Sequence, residues 1–338
     1  MKLRILSAAD VVKALPMSEA ISGMKSAFAQ LSTGKAVVPL RGRVDVGGPE
    51  RVGDSATPQG TTLVMPAYLA ESDDLAVKIV SVFPENVRQD EPTIYAMVLA
   101  LDAETGRPLA LMEGATLTAI RTGAGAGAAT DLLARSDASI VAILGSGVQA
   151  RTQLAAVCTV RQVSKVRVYS PTHDHARTFA REMAGKGPVP DDVQVVDDPD
   201  AAVRDADIVC AATTSATPVF SGRVLKPGAH VNGVGSFTPA MQEVDVETIR
   251  RSLVVVDSRS AALAEAGDLI IPLEQGLIEE DHVYAELGEI VAGLKPGRSA
   301  PEQITFFKSV GVAVQDAISS RIALQNAVAN RLGTVVTV

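Results

Sequence analysis

Residues 140–153 read Ile-Val-Ala-Ile-Leu-Gly-Ser-Gly-Val-Gln-Ala-Arg-Thr-Gln, and this stretch decides the fold. A run of apolar residues leads into Gly145, Gly147 and Ala150, which have the G-x-G-x-x-A spacing of a dinucleotide-binding turn between a strand and a helix. Gly145 permits the tight turn, Gly147 lets the backbone approach a pyrophosphate, and Ala150 lets the helix pack close to the strand. The pyrophosphate then lies at the helix N-terminus. Because so short a motif also occurs in turns that bind nothing, the surrounding pattern has to support it.

The chain around the glycine turn alternates apolar strands with helical stretches. A second apolar run, 166–169, follows the glycines by about 20 residues, as a nucleotide-binding unit requires. Buried parallel strands are near-continuous apolar runs, so we predict an α/β fold built on a Rossmann-type doubly wound parallel sheet. Ligands bind at the carboxyl ends of such strands, and the hydroxyls of Thr213, Thr214 and Ser215 follow one of them. The predicted strands are 139–144, 165–169, 193–196, 208–212, 230–235 and 253–257.

The residues before this region predict a different architecture. Apolar residues at helical spacing predict a helix over 8–32, capped by residues 8–10 and ended by Gly34. Alternating runs then predict short, mainly antiparallel strands in an α+β arrangement, with a turn at 104–108. These predicted strands are 37–46, 61–66, 75–83 and 95–102, with loops at 47–49 and 58–60.

Two further helices suggest how the chain divides into domains. Residues 115–135 are rich in Ala and Gly, which predicts a tightly packed helix that connects two domains. Residues 304–332 predict a long helix that can return to the first domain. We therefore predict one discontinuous domain of residues 1–117 and 305–338, and a dinucleotide-binding domain of residues 118–304 that includes the connecting helix.

Composition argues against several classes of partner. The chain has 31 basic and 39 acidic residues and a formal net charge of −8, which argues against binding nucleic acid or an anionic membrane. No apolar run is long enough to span a bilayer, and the N-terminus lacks the basic-then-apolar layout of a secretion signal, so we expect a cytoplasmic protein. Cys158 and Cys210 lack the spacing of a disulfide framework or a zinc site, and we expect no metal.

Several basic residues are candidates for binding an anionic substrate. Arg41 and Arg43 lie two apart in a predicted strand, so both can face one side and clamp a carboxylate, although a solvated polar face has the same pattern. Lys78 interrupts an apolar strand, so it is either buried with a partner or exposed on an amphipathic strand. Arg121, near the start of the small-residue helix, either binds an anion or anchors the two domains.

The end of the strand 165–169 bears on the choice of coenzyme. Ser170 and Thr172 follow it, and no acidic residue stands where an NAD site binds the ribose diol. An uncharged end tolerates a 2′-phosphate, so NADP(H) is favoured and NAD(H) stays an alternative. His173 and His175 would either add positive charge there or be solvated loop residues.

Five stretches form a further pattern that covers most of the chain. They are Leu63-Val-Met-Pro-Ala-Tyr68, Val77-Lys-Ile-Val-Ser-Val-Phe-Pro-Glu-Asn86, Leu117-Thr-Ala-Ile-Arg-Thr122, Gly145-Ser-Gly-Val-Gln-Ala150 and Phe307-Lys-Ser-Val-Gly311. Together, and in this order, they resemble the ornithine cyclodeaminase/mu-crystallin family. The resemblance implies a homodimer in which residues 1–117 and 305–338 bind the substrate and dimerise. It also implies a small cyclic imino acid or amino acid as the substrate.

The resemblance implies a role for each matching residue. Arg41 and Arg121 match the carboxylate-binding arginines of the family, with Arg43 as the alternative if the register differs by two. Lys78 matches the active-site lysine, and Ser309 and Gly311 match a segment near the nicotinamide. With the glycine motif, the coenzyme-binding residues are expected to be Thr122, Gly145, Ser146, Gly147, Val148, Gln149, Ala150, Ser170, Thr172, Thr213, Thr214, Ser215, Ser236, Ser309 and Gly311.

Ser236 distinguishes between the activities of the family. Cyclodeaminases carry an aspartate at this position, because expelling ammonia requires a carboxylate that handles amine protons. A serine hydroxyl is a poor base but a good hydrogen-bond partner, so Ser236 and Lys78 are the predicted catalytic residues of a reductase. We expect NAD(P)H-dependent reduction of a cyclic ketimine carboxylate, first of all Δ1-pyrroline-2-carboxylate to L-proline, with Δ1-piperideine-2-carboxylate to L-pipecolate as an additional reaction. The alternatives are ornithine cyclodeamination, an alanine dehydrogenase-like activity and a non-catalytic NADPH-binding protein.

Overall fold

The computed structural model describes residues 1–47 and 59–338. Residues 48, 49 and 58 of the predicted loops at 47–49 and 58–60 therefore lie outside the described residues, and Gly60, predicted to be in a loop, is instead the first residue of a strand. The chain divides into two compact units. The first contains Met1–Gly23, Gly34–Arg121 and Ala313–Val338, and the second contains Met24–Thr33 and Thr122–Val312.

The helices and strands have the following bounds. The strands are β1 (Lys2–Leu6), β2 (Ala36–Val37), β3 (Gly42–Val46), β4 (Gly60–Leu69), β5 (Asp74–Val82), β6 (Ile94–Leu101), β7 (Pro108–Glu113), β8 (Ile140–Leu144), β9 (Lys165–Tyr169), β10 (Val193–Val195), β11 (Ile208–Ala211), β12 (His230–Gly233), β13 (Ser252–Val256), β14 (Val283–Glu286), β15 (Ile304–Lys308) and β16 (Thr334–Thr337). The α-helices are α1 (Ala8–Ala14), α2 (Met17–Ser32), α3 (Gly114–Leu133), α4 (Val148–Val160), α5 (His173–Met183), α6 (Pro199–Val203), α7 (Val246–Arg250), α8 (Arg259–Glu265), α9 (Gly267–Glu274), α10 (Leu287–Val291) and α11 (Ala313–Ala329).

The first unit is built on a mainly antiparallel sheet, as predicted. Its described strands run in the order β16-β1-β7-β6-β5-β4-β2, and β3 also pairs with β4. Only the β1–β7 pair among these is parallel. The predicted turn at 104–108 joins β6 to β7, and Gly106 adopts φ +69° there. The strands β1, β7 and β16 were not predicted from the sequence.

The two faces of the first sheet carry different side chains. The cross-strand neighbours Met65, Lys78 and Val98 are buried, and α11 packs against their strands. The adjacent row, Val64, Ile79 and Met97, is between 37% and 49% exposed. Because neighbouring residues of a strand point to opposite faces, this apolar row lies on the side away from Lys78.

The second unit contains the predicted Rossmann-type sheet. Eight strands of the described chain are all parallel, in the order β10-β9-β8-β11-β12-β15-β13-β14. Apolar residues cover both faces of β8: Ala142 and Leu144 belong to one core cluster, and Val141 and Ile143 belong to another. The strand order reverses between β8 and β11, which is where a doubly wound sheet binds its ligand.

The prediction of one helix over 304–332 is wrong at its start. Residues 304–308 form β15, every residue of which is buried, between β12 and β13. Aromatic and β-branched side chains such as Thr305 and Phe306 suit a strand covered on both faces. The helix α11 begins only after Gly311, which adopts φ +85°. The strand β14 was also not predicted.

Two other element predictions need correction. The predicted helix 8–32 is two helices that meet at Pro16, since proline disfavours a helical conformation in the residue before it. Ser7 caps the first of them in a capping box with Asp10, rather than residues 8–10. The predicted strand 37–46 is interrupted, so Arg41 precedes β3 and the prediction that Arg41 and Arg43 share a strand face is wrong.

Candidate active site

Lys78 is a buried cation with a buried acidic partner. It lies on β5 and is 2% exposed, and its Nζ lies 2.8 Å from Oδ2 of Asp316 on α11. The other carboxylate oxygen of Asp316, Oδ1, accepts a hydrogen bond from Nε of Arg121 at 3.1 Å. Arg121 also donates from Nη1 to Oε1 of Gln315 at 2.6 Å. One carboxylate therefore holds both cations in place.

The neighbouring positive charges help to lower the pKa of Lys78. Burial and the charge of Arg121 lower the pKa of Lys78 from 10.5 to about 8, whereas Asp316 raises it. The charge of Arg41 is a smaller cause of the same lowering. Arg41 is half-buried and precedes β3. The structure thus groups the three basic residues Arg41, Lys78 and Arg121, as an anionic substrate would require.

Arg43, the alternative to Arg41, has a different environment. Its side chain is 61% exposed, and its Nε donates a hydrogen bond to the carboxylate of Asp45 at 3.0 Å. Asp45 raises the pKa of Arg43 through this hydrogen bond. These contacts favour Arg41 over Arg43 as the residue that meets a carboxylate.

The glycine turn in the second unit has the shape that the motif predicts. Gly145 adopts φ +105°, and a Cβ atom there would lie 2.4 Å from the carbonyl oxygen of Ala212. A Cβ atom on Gly147 would meet nothing within 4 Å. Gly147 is the N-cap residue of α4 and offers no capping side chain to the first-turn N–H groups. Gln149 lies in the first turn of α4. These residues fit a dinucleotide pyrophosphate.

The other predicted coenzyme residues fall at the carboxyl ends of neighbouring strands. Ser170 and Thr172 follow β9, and Oγ of Ser146 donates to Oγ of Ser170 at 3.1 Å. Thr213, Thr214 and Ser215 follow β11, Ser236 follows β12, and Ser309 and Gly311 follow β15. Val148 and Ala150 are in the first turn of α4, and Thr122 is buried within α3.

Ser236 is fully buried and its hydroxyl is engaged. Its Oγ donates to the carbonyl oxygen of Met241 at 2.7 Å, and its backbone N–H donates to Oε2 of Glu243 at 3.0 Å. Glu243 also accepts from the backbone N–H of Thr213 and of Gly235, each at 2.5 Å. One buried carboxylate therefore ties the loops after β11 and β12 together.

A second buried carboxylate organises the segment after β15. Oδ2 of Asp257, which follows β13, accepts from Oγ of Ser309 at 2.7 Å. The same oxygen accepts from the N–H of Val310 at 2.9 Å and of Gly311 at 2.8 Å. Burial raises the pKa of Asp257, and these hydrogen bonds lower it. The sequence analysis did not predict Asp257, Glu243 or Asp316. Of the three, only Asp257 directly follows an apolar run, residues 253–256, which could have indicated the end of a buried strand.

Both cysteines are buried in the second unit. Burial raises the pKa of the thiols of Cys158 and Cys210 to about 12, so both are inert thiols. Within residues 1–47 and 59–338, no three His, Cys, Asp or Glu side chains are grouped to hold a metal ion. His173 contacts Asp197 in an exposed position.

Residues 1–331 match the profile of the Ornithine cyclodeaminase/mu-crystallin family, so the match spans nearly the whole chain. The chain belongs to this family. The resemblance of five stretches of the sequence to the ornithine cyclodeaminase/mu-crystallin family predicted this membership, and the prediction is confirmed.

Two relatives of this family member are named as pyrroline-2-carboxylate reductases. The Δ1-pyrroline-2-carboxylate reductase of Bacillus cereus is 40% identical over 330 residues, which are 97% of this chain and 98% of the relative. The solved structure of Thermococcus litoralis Δ1-pyrroline-2-carboxylate reductase, in complex with NADH and L-proline, is 44% identical. It has a TM-score of 0.90 and covers 98% of this chain and 99% of its own.

A third relative has a different named activity. The archaeal alanine dehydrogenase, solved as a dimer with bound NAD, is 30% identical with a TM-score of 0.90, over 100% of this chain and 99% of its own. The predicted Rossmann-type α/β fold is confirmed by these neighbours and by the parallel sheet. Every helix in the described part of this family member is too short or too polar to cross a bilayer.

Proposed function

We propose that this protein reduces a cyclic ketimine carboxylate with a nicotinamide coenzyme, and that its main substrate is Δ1-pyrroline-2-carboxylate, which becomes L-proline. The six-membered homologue, Δ1-piperideine-2-carboxylate, offers the same groups and would become L-pipecolate. The observation that carries the proposal is the buried group of Lys78, Asp316 and Arg121, in which a lysine of pKa about 8 lies beside an arginine. The similarity to two named reductases supports the substrate.

Each part of the reaction has residues suited to it. When bound, the reduced coenzyme supplies the hydride, which adds to the imine carbon while the ring nitrogen gains a proton. Arg41 and Arg121 hold the carboxylate through charge-assisted hydrogen bonds and so fix the orientation of the imine carbon. The ammonium of Lys78 donates the proton to the ring nitrogen, since an acid with a pKa near the working pH transfers protons efficiently.

Ser236 is proposed to favour reduction over deamination. Its hydroxyl donates to the carbonyl oxygen of Met241, and its oxygen keeps lone pairs that can accept a hydrogen bond from water. A hydroxyl cannot take up amine protons as a carboxylate does, and expelling ammonia from ornithine requires that step. This residue therefore argues against cyclodeamination.

The coenzyme is proposed to bind along the carboxyl ends of the second sheet. The glycine turn would hold the pyrophosphate, and the hydroxyls of Ser170 and Thr172 would lie near the adenosine ribose. Because neither hydroxyl repels a 2′-phosphate, NADPH is the proposed preferred coenzyme, with NADH as the alternative. Two solved relatives contain NADH or NAD, so the preference has to be measured directly.

The assay is to incubate the purified protein with Δ1-pyrroline-2-carboxylate or Δ1-piperideine-2-carboxylate, each with NADPH and with NADH. We expect coenzyme oxidation with both imines, a larger kcat/KM with the five-membered ring, and a larger kcat/KM with NADPH than with NADH. One mole of proline formed per mole of coenzyme oxidised would establish the stoichiometry of the reaction. An absence of turnover with both imines and both coenzymes would refute the proposed reaction.

The same preparation distinguishes the alternative functions. Release of ammonia from ornithine without net coenzyme consumption would indicate a cyclodeaminase. Reductive amination of pyruvate with ammonia would indicate an alanine dehydrogenase, which is the name of one relative at 30% identity. Tight NADPH binding without any of these reactions would indicate a binding protein.

We also propose that the protein is a homodimer that pairs through the exposed face of the first sheet. Val64, Ile79 and Met97 form an apolar row across β4, β5 and β6, and Tyr95 on the same face of β6 is 52% exposed. A contiguous apolar patch of this kind is typical of a protein interface. A second copy of the chain is the proposed occupant because a relative of similar fold was solved as a dimer.

Replacing Ile79 by glutamate is expected to convert the protein from a dimer to a monomer, because a buried charge at the centre of the row has no partner. Light scattering would give a mass near 35.1 kDa for this variant and twice that for the natural protein. Val148→Glu is the control, since Val148 is 62% exposed in the second unit and its replacement should leave the dimer intact. A dimeric Ile79→Glu variant would place the interface elsewhere.

A further inference from the structure

A buried ionic cluster lies behind the loops at the carboxyl edge of the second sheet. Nζ of Lys308, the last residue of β15, lies 2.7 Å from Oδ2 of Asp268, and both side chains are fully buried. Oδ1 of Asp268 accepts from the backbone N–H of Glu243 at 2.7 Å and of Val244 at 3.1 Å. Glu243 then holds the loops after β11 and β12. The cluster of Lys308, Asp268 and Glu243 thus connects the ends of three neighbouring strands.

Burial raises the pKa of Glu243, whereas the charge of Lys308 and the hydrogen bonds that Glu243 accepts lower it and favour the carboxylate. Its three partners, Thr213, Gly235 and Ser236, all present backbone N–H donors. A protonated carboxyl group would instead need an acceptor for its own O–H. Glu243 and Asp268 together carry two negative charges and Lys308 carries one positive charge. The cluster therefore has a net charge of −1 in a buried environment.

Asp257 adds a second negative charge at the same edge. Oδ2 accepts from Ser309, Val310 and Gly311, and Oδ1 accepts from the N–H of Ser258 at 2.8 Å. Each of these groups is a donor, so Asp257 is also a carboxylate. Two excess negative charges, from Glu243 and Asp257, are thus fixed behind the carboxyl ends of β12 and β15.

The topology decides which half of a dinucleotide these charges would face. The pyrophosphate turn follows β8, and the ribose of the adenosine half is read at the end of the next strand, β9. The nicotinamide half then extends to the other side of the switch point, over β11 and β12. Glu243 lies behind the loops that end these two strands.

We propose that the buried charges of Glu243 and Asp257 selectively stabilise the oxidised, cationic nicotinamide ring and so make the bound reduced coenzyme a stronger hydride donor. The inference rests on the proposed coenzyme site. Oxidised and reduced coenzymes carry the same phosphates and differ by the positive charge of the ring, so the effect resides in the ratio of their dissociation constants. Glu243 and Asp257 are positioning residues. They hold the segments after β11, β12 and β15, exert an electrostatic field on the nicotinamide ring and do not contact the substrate.

The test is to measure the Kd of NADPH and of NADP+ for Glu243→Gln, by nicotinamide fluorescence for the reduced form and by competition for the oxidised form. Removing one of these charges should raise the ratio of the oxidised to the reduced Kd by about tenfold, because a buried charge acts through a medium of low dielectric constant. That change equals a shift of about 30 mV in the potential of the bound couple. Asp257→Asn should change the ratio in the same direction, and it serves if Glu243→Gln fails to fold.

The matched control is Asp207→Asn. Asp207 is a buried carboxylate of the same sheet that accepts from the N–H of Ser139 and Ile140, at the amino ends of β8 and β11. Its replacement should leave the ratio unchanged. An equal loss of affinity for both coenzyme forms in Glu243→Gln and Asp257→Asn would reduce these residues to loop anchors and overturn the inference. If the natural protein binds neither form, the proposed function fails, and with it the premise of the test.

Discussion

Replacing Gly147 by valine is expected to weaken coenzyme binding by about 100-fold, or about 2.7 kcal/mol, while the protein stays folded. A Cβ atom at Gly147 would meet nothing within 4 Å, and the backbone there has φ −79° and ψ −171°, which valine adopts readily. The side chain would instead fill the space through which a pyrophosphate approaches the first turn of α4. Losing the glycine therefore affects the ligand and spares the fold.

Gly145 provides the contrasting variant. Its φ of +105° disfavours any side chain, and its Cβ atom would lie 2.4 Å from the carbonyl oxygen of Ala212. Gly145→Val is expected to lower the melting temperature severely or to prevent folding. Two glycines two positions apart thus differ in what their replacement breaks, although the motif treats both as part of one turn.

The measurement combines a thermal melt with titration of NADPH and NADH. Gly147→Val should melt close to the natural protein and show little coenzyme binding up to high concentration. Gly42→Val is a control for the mere loss of a glycine, because a Cβ there would make only ordinary van der Waals contact, 3.7 Å from Cβ of Val64, and the residue lies in the first unit. Retained affinity in a folded Gly147→Val variant would show that the pyrophosphate binds elsewhere.

The fold of the second unit was predictable because its signals are local. An apolar strand, two glycines and a small residue occupy adjacent positions, so β8, the turn and the start of α4 follow from the sequence alone. The strand β15 was not predictable in this way. Its residues Ile304–Lys308 are apolar over a length that suits either a strand or a helix, and only pairing with β12 and β13 decides the matter.

The candidate active site is likewise only partly predictable from the sequence. The sequence predicts a role for Lys78, because a lysine within an apolar strand needs a partner, but it does not identify that partner. Asp316 lies more than 200 positions away along the chain and reaches Lys78 only because α11 packs against β5. The sequence does not identify Glu243 for a similar reason. A glutamate in a loop is usually solvated, whereas this one is buried and accepts hydrogen bonds from three backbone N–H groups.

Replacing Asp316 by asparagine is expected to lower kcat/KM at neutral pH by about 100-fold, or about 2.7 kcal/mol of transition-state stabilisation, because the carboxylate that holds both Lys78 and Arg121 in place is lost. Asparagine has nearly the same shape but cannot neutralise Lys78 and Arg121. The charge of Asp316 raises the pKa of Lys78, so its loss should move that pKa below about 8. Lys78 would then lose its proton at neutral pH, where the reaction needs the ammonium.

The pH dependence gives the sharper test. In the natural protein the ammonium of Lys78 is present below its pKa, so kcat/KM should fall as the pH rises through about 8. Asp316→Asn should shift this decline to lower pH. Arg121→Gln removes a cation that lowers the pKa of Lys78, so it should shift the decline to higher pH while raising KM for the imine.

The opposite directions of these shifts separate an electrostatic role from a structural one. Loss of packing would lower activity at every pH without moving the decline, whereas a change in the charge around Lys78 must move it. Asp45→Asn is the matched control, because Asp45 pairs with Arg43 on the exposed part of the first unit and should leave the profile unchanged. If the decline stays at the same pH in both Asp316→Asn and Arg121→Gln, the proton donor is a group other than Lys78, and the buried cations serve only to bind the carboxylate.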